Sequence, residues 1–349
     1  MRTVRALLVL LAVLAHTVAA EEQKRFFDDP DAIARWLSEN HVPALGIGII
    51  REGKLRQVKM YGELRKGVPA PYNTIFNVAS LTKPIVTMVT LKLIDSGQWK
   101  LDEPLANYWV DPDVAGDPMH RKLTTRHVLS HQTGFANWRW MDESKKLRFQ
   151  FESGTRVQYS GEGFEYLRKA LEKKFGKSLA ELSQAHVFTP LGMSDTQHAW
   201  DSRTDESRFA RWHDKDGKEA YPYYKTTRAN AADDLITTVE DYGNFAAAVT
   251  RGGGLSDALF QEMVKPQGVI EDNLLAMGLG WEIHQNLGDG EYALIHSGSD
   301  EGVRTLVMLL PKSGQGLVVM MKGDNGHQLY ERLVLESLDR GKEIMGRAK

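Results

Sequence analysis

The chain has 349 residues, no cysteine, 42% hydrophobic residues and a formal net charge of −2. Without cysteine there is no disulfide framework, no thiol chemistry and no lipid-attachment cysteine. Mild acidity with the charges interspersed excludes a basic face for nucleic acid or an anionic membrane, and the hydrophobic content suits a packed globular core.

The first twenty residues read as a secretory signal peptide. Arg2 and Arg5 form a basic start, residues 6–15 (ALLVLLAVLA) an apolar run, and Val18-Ala19-Ala20 supply the small residues a signal peptidase accepts. The run is shorter than the about 20 residues a membrane span needs, so we expect cleavage after Ala20 and a periplasmic or secreted protein with no stable membrane anchor. Residues 21–349 remain, enough for one large domain or two closely packed lobes.

In chain order, Ile33, Trp36 and Leu37 fall at helical spacing after Asp-Pro-Asp and predict an amphipathic helix over residues 28–40. Residues 45–51 (LGIGIIR) and 54–61 (KLRQVKMY), joined at Glu52-Gly53, predict a β-hairpin. Gly46 and Gly48 do not open a dinucleotide loop, because Arg51 stands where the third glycine belongs. A buried helix follows over residues 80–96, with Asn77 able to cap it, Pro84 early in it and Gly97 as its stop.

Residues 101–110 read as a loop. Thr124 or Thr125 then caps a short helix that Gly134 ends. His127 and His131 lie four apart like a helical zinc pair, but no glutamate follows His127, so no metal site is expected. Residues 135–158, rich in tryptophan, phenylalanine and charge, read as a pocket wall or lid, or else as ordinary surface packing. After Tyr159-Ser160-Gly161 comes a helical pattern, Phe164, Leu167, Leu171 and Phe175. Gly176-Lys177-Ser178 is no phosphate loop, since Leu171 occupies the place of its first glycine.

Beyond Pro190-Leu191-Gly192-Met193, residues 199–225 read as long loops and residues 234–249 as a helix. Strands are predicted at 278–284, 292–297, 303–310 and 317–322, and a closing helix at 327–340. Strands at both ends with helices between them imply an α+β arrangement. One antiparallel sheet is built from both termini (about 21–75 and 275–349), flanked by the first and last helices, beside a helical lobe (about 76–274). Helix 80–96 would lie at the seam, where a cleft is expected.

Ser80 and Lys83 are the candidate chemical pair; by themselves they read more readily as a cap residue and a surface lysine of the first turn. Three residues apart on a helix they share a face, hydroxyl beside amine. A serine hydroxyl needs a base to take its proton, and a lysine serves only where burial or nearby cations favour its neutral form. A helix N-terminus disfavours the ammonium and offers free N–H groups to an oxyanion.

Several motifs in order resemble the serine β-lactamase and penicillin-binding-protein superfamily, in its class C-like branch of β-lactamases, D,D-peptidases, D-aminopeptidases and esterases. Ser80-Leu81-Thr82-Lys83 resembles the nucleophile motif, Tyr159-Ser160-Gly161 the Tyr-x-Asn element, and His296-Ser297-Gly298 the strand motif that is Lys-Thr-Gly in β-lactamases and His-x-Gly in some relatives. The segments 126–134, 190–193 and 278–281 support the likeness, which spans nearly all of residues 21–349. It implies a β-lactamase/transpeptidase-like fold. Ser80 would be the acylated nucleophile, Lys83 and Tyr159 would share the proton work, and either of them could be the acylation base. The backbone amides of Ser80 and Ser299 would form the oxyanion hole, and His296, Ser297, Gly298 and Gly161 would border the substrate. No metal or organic cofactor is implied, and the partner is a small-molecule or peptide substrate.

Two departures point away from efficient β-lactam hydrolysis. Gly161 offers no side-chain amide where β-lactamases have asparagine, and His296 is only partly charged near neutrality where they have lysine. Asp233-Asp234 also replace a glycine pair, with no account beyond an altered loop. The resemblance therefore implies an exported serine hydrolase, first a peptidase or esterase, then a D-alanyl-D-alanine carboxypeptidase, then a true β-lactamase. A catalytically silent protein that binds cell-wall peptides or β-lactams is the alternative of another class.

Overall fold

The computed structural model describes residue 27 and residues 29–222, 225–271 and 274–347; the expected signal peptide lies outside them. The first helix, α1 (Pro30–Glu39), starts where Asp29 accepts the Ala32 N–H at 3.0 Å and Pro30 takes the first helical position. β1 (Ala44–Arg51) and β2 (Lys54–Arg65) form the expected hairpin, followed by short strands β3 (Val68–Pro69) and β4 (Phe76–Asn77). Next come α2 (Thr82–Asp95), α3 (Thr125–Leu129) and α4 (Gly161–Phe175), then β5 (Ile236–Thr237), which pairs with β4, and α5 (Val239–Thr250).

The last third supplies β6 (Gly268–Glu271), β7 (Leu275–Met277), β8 (Glu282–Leu287), β9 (Glu291–Asp300), β10 (Val303–Leu310) and β11 (Gln315–Lys322). Two helices close it, α6 (Tyr330–Ser337) and α7 (Gly341–Arg347). Nine strands make one antiparallel sheet in the order β3-β2-β1-β11-β10-β9-β8-β7-β6. The two ends of the chain meet at its centre, where β1 pairs with β11 from Ala44↔Lys322 to Ile50↔Gly316.

Side chains alternate across each strand, so the sheet has two apolar faces. Leu317, Val319 and Met321 pack with Ile33 and Leu37 of α1 and Leu333 and Val334 of α6. Val318 and Met320 belong to a second core that reaches through Tyr242 and Phe245 of α5 to Val86 and Val89 of α2 and Leu167 of α4. Burial on both faces makes β10 and β11 read as continuous apolar runs. Gly46, set aside as a dinucleotide glycine, faces α5: a Cβ there would sit 2.6 Å from the Val239 side chain, so a bare backbone lets the helix approach the sheet.

Four expectations change in detail. The strand expected at 278–284 begins only at Glu282, as β8, because the chain turns at Gly280 (φ +75°) and the Gly278 N–H donates to the Trp281 carbonyl at 2.8 Å. β6 joins the sheet ahead of residue 275, where the sheet portion was expected to resume. The helix expected from 234 starts at Val239, because residues 235–237 are drawn into β5 and its approach and Thr238 caps the helix through the Asp241 N–H. The closing helix breaks where Leu338 turns extended, at φ −124° and ψ 133°.

Candidate active site

Residues 82–91 of α2 are all buried. A helix apolar all round is one enclosed by its surroundings, and here the sheet core and α4 enclose it. Ser80 does not sit in its first turn as expected. It lies on a 3-10 turn, Ala79–Leu81, and Leu81 is the helix N-cap. Asn77 does not cap α2: its Oδ1 accepts the Ala79 N–H at 2.8 Å. Ala79 has a φ of +47°, which costs a non-glycine residue about 1–2 kcal/mol. The Asn77 bond and a second, from Thr82 Oγ1 to the Ala79 carbonyl at 2.7 Å, each return about 1 kcal/mol and so offset it. The chain crossing below adds further ties. Val78 N–H donates to the Leu235 carbonyl at 3.0 Å, and the Tyr242 hydroxyl to the Leu81 carbonyl at 2.9 Å.

Lys83 is 1% exposed. Its Nζ donates to Ser80 Oγ at 3.0 Å and to the Ala232 carbonyl at 2.7 Å. Burial draws its pKa down to about 7, against the opposing pull of the Asp233 carboxylate. Burial thus favours the neutral amine, whose Nζ lies within hydrogen-bond reach of the Ser80 hydroxyl.

Tyr159, Ser160 and Gly161 lead into α4, whose N-cap is Ser160, accepting the Gly163 N–H at 3.1 Å. Lys83 Nζ lies 4.7 Å from the centroid of the Tyr159 ring. Burial pushes the Tyr159 phenol above its ordinary range, opposed by the neighbouring Ser80 side chain. Ser80, Lys83 and Tyr159, about eighty residues apart in the chain, thus meet at one point.

The strand motif borders the same point. β8 pairs with β9 only as far as Ile295, so residues 296–300 are paired with β10 alone. The turn that carries Ser80 packs against this stretch: a Cβ on Gly298 would lie 2.4 Å from the Val78 carbonyl oxygen and 3.2 Å from the Ser80 nitrogen. Thr305 Oγ1 on β10 donates to that same Val78 carbonyl at 2.9 Å. Ser297 and Ser299 are exposed, whereas His296 and Gly298 are buried, the alternation of a strand. Ser299 pairs with Arg304.

His296 differs from expectation. Its ring lies 6.4 Å from that of Tyr159, its Nδ1 is 2.9 Å from the Ser297 carbonyl, and it is 8% exposed. Burial, then the neighbouring Lys83, depress its pKa to about 3, so the ring is neutral at neutral pH rather than partly charged. It offers a substrate carboxylate no cation.

Gly161 also acquires a reason. The Trp138 ring lies where its side chain would begin, 2.8 Å from a Cβ built there, and the Gly161 N–H donates to Asn137 Oδ1 at 2.8 Å. The tryptophan-rich stretch therefore supplies part of this wall. Asp234 has a φ of +70°, a conformation glycine adopts freely and a non-glycine residue only with strain. Its N–H donates to Asp233 Oδ1 at 2.8 Å. Burial, with Asp234 and Asp300 nearby, raises the Asp233 carboxyl.

His127 and His131 do not converge as metal ligands. α3 ends at Leu129, and His131, at φ +54°, lies beyond it. His127 Nδ1 accepts the Thr124 N–H at 3.3 Å and His131 Nδ1 accepts the Ser160 N–H at 3.1 Å, so each ring serves a different backbone amide. The residues the sequence did not single out are Ala232, Thr82, Thr305, Asn137 and His131 in its present role. Each acts through a backbone group or a local hydrogen bond, which leaves no spacing pattern to read.

A beta-lactamase family model matches residues 18–338. The chain is 23% identical over 308 residues to the D-alanyl-D-alanine-carboxypeptidase/endopeptidase AmpH of Escherichia coli (strain K12), covering 78% of each. It is 28% identical over 177 residues to Esterase EstB of Burkholderia gladioli, 42% of this chain and 45% of the esterase. Among solved structures, the octameric penicillin-binding protein homologue from Pyrococcus abyssi superposes with a TM-score of 0.72 at 21% identity, over 84% of this chain and 72% of that one. The fold is accordingly the β-lactamase/transpeptidase-like α+β fold expected from the motifs.

Proposed function

Since the chain belongs to the beta-lactamase family, we propose that it is an exported serine hydrolase acting through an acyl-enzyme on an amide or ester, a peptidase or esterase rather than a true β-lactamase. The observation that carries this reading is the Lys83 Nζ, buried and 3.0 Å from Ser80 Oγ. Export rests on the first twenty residues; among the described residues no helix is long and apolar enough to cross a membrane.

In the proposed sequence Ser80 Oγ attacks the substrate carbonyl while neutral Lys83 takes its proton. The opposite displacements of the two pKa values favour Lys83 over a Tyr159 phenolate as the base: the lysine is lowered and the phenol raised. Tyr159, kept as a neutral phenol, passes a proton to the leaving group. The backbone amides of Ser80 and Ser299 stabilise the oxyanion, and water then attacks the acyl ester with the same groups reversing roles. A neutral His296 and a tryptophan ring at Gly161 support an uncharged ester or amide near the nucleophile over a β-lactam carboxylate.

Intact-mass measurement of the protein after exposure to a fluorophosphonate and, separately, to a fluorescent penicillin tests the reading, with Ser80→Ala as control. We expect a phosphonyl adduct on Ser80 and no lasting penicillin adduct. A folded sample with no adduct from either probe is the result expected of a silent binding protein, and it would overturn the hydrolase.

A further inference from the structure

His131 holds Tyr159 from three directions. Its ring stacks on the phenol ring, centroids 4.3 Å apart and planes 27° from parallel. Its Nδ1 accepts the Ser160 N–H at 3.1 Å, and its carbonyl accepts the Gln158 N–H at 2.7 Å. One residue thus grips the backbone on both sides of Tyr159 and the side chain between. The grip has a purpose that packing alone does not supply. Tyr159 is 38% exposed, and a half-exposed tyrosine free to turn about its side-chain bonds visits several rotamers. Only an orientation that keeps its hydroxyl at Ser80 is useful for a proton transfer, and small misplacements are costly to rate.

His131 is itself fixed. It is 1% exposed, its N–H donates to the Val128 carbonyl at 3.1 Å, and the Phe164 ring lies 5.4 Å from its own. Its φ of +54° is a strained conformation retained where the surroundings over-determine it. Because Nδ1 accepts an amide hydrogen, the ring carries its proton on Nε2. Burial, with Lys83 and His296 nearby, holds it well below the usual histidine range, so the ring stays neutral and takes no proton itself.

We propose that His131 is a positioning residue that locks the Tyr159 side chain with its hydroxyl toward Ser80 and its ring against the Lys83 amine. The inference rests on the reading of Ser80 and Tyr159 given above. Two substitutions separate its contacts. His131→Asn places Oδ1 near the position of Nδ1 and tolerates the positive φ, while losing the stacked ring. His131→Phe keeps a ring and leaves the buried Ser160 amide without its acceptor.

The experiment measures the fluorophosphonate labelling rate at Ser80, and kcat and KM for p-nitrophenyl acetate. The proteins are the wild type, His131→Asn, His131→Phe, Tyr159→Phe and the double variant His131→Asn/Tyr159→Phe, each checked for folding by thermal melting. His131→Asn is expected to lower kcat about tenfold with KM within about twofold. Both limbs of the pH profile should remain. On the Tyr159→Phe background the same change should cost less than about twofold, because there is no hydroxyl left to position. Should His131→Phe fail to fold, the asparagine series decides. A labelled wild type with an unaffected His131→Asn, or with an undiminished loss on the Tyr159→Phe background, overturns this inference alone. A wild type that is not labelled at all overturns the hydrolase reading and this inference with it.

Discussion

The Trp138 ring stands 2.8 Å from the point where a Cβ on Gly161 would be, so the tryptophan and the missing side chain are two halves of one arrangement. An asparagine side chain at position 161 would force the ring aside. Gly161→Asn is expected to destabilise the protein by about 1–3 kcal/mol, the usual cost of overpacking, with reduced activity. Trp138→Ala in the same chain should recover part of that loss. Urea unfolding of the two single variants and the double variant measures the coupling, and strictly additive effects would mean the two positions do not compete for the space.

Gly298 offers no such relief. A methyl there would meet the Val78 backbone carbonyl at 2.4 Å, and backbone tied to Leu235 and Thr305 cannot swing away as a side chain can. Gly298→Ala should therefore push β9 from the Ser80 turn, costing about 2 kcal/mol or more and slowing fluorophosphonate labelling. Thermal melting and the labelling rate together check it; a normal rate in a normally stable protein would contradict the close approach.

Lys83 links stability to pH. Its folded pKa is lowered to about 7 from 10.5, so below about pH 7 the folded state holds a buried ammonium and bears the full burial penalty. As pH rises from there toward the ordinary lysine value, the unfolded chain releases its proton too and the penalty disappears. Lys83→Met should accordingly be inactive at every pH yet more stable than the wild type near about pH 6, on the order of 1–4 kcal/mol, with the gain shrinking toward about pH 10. Melting curves across that range decide it, and a gain that grew with pH would reverse the assignment.

Asp233 acts on the same amine in the opposite sense, since its carboxylate raises the Lys83 pKa that burial lowers. Asp233→Asn removes the raising influence, so Lys83 should lose its proton at lower pH. The acid limb of the labelling rate should move downward, with the plateau rate changing less than about threefold. A limb that stays in place would show that Lys83 titration does not set it.

Much of this protein was legible in its residues. Helix α1 after Asp-Pro-Asp, the β1–β2 hairpin and the apolar strands β10 and β11 follow from local rules of periodicity, turns and alternation. Ser80 and Lys83 could be paired because a helical turn brings positions three apart together whatever surrounds them. Local periodicity could not place Tyr159 or His296 beside them; only the resemblance to a family linked these distant motifs.

What tertiary structure alone decided is the electrical state of those groups and the way they are held. His296 is neutral because the fold buries it beside Lys83, and Lys83 is drawn down because residues 82–91 are enclosed on all sides. The Asn77 side chain went to Ala79 and not to the helix, since a strained turn needed the bond more than a free amide did. The four-residue spacing of His127 and His131 meant nothing once α3 ended at Leu129 between them. A sequence fixes which groups a short turn or strand can present; burial and long-range charge depend on what the rest of the chain packs around them.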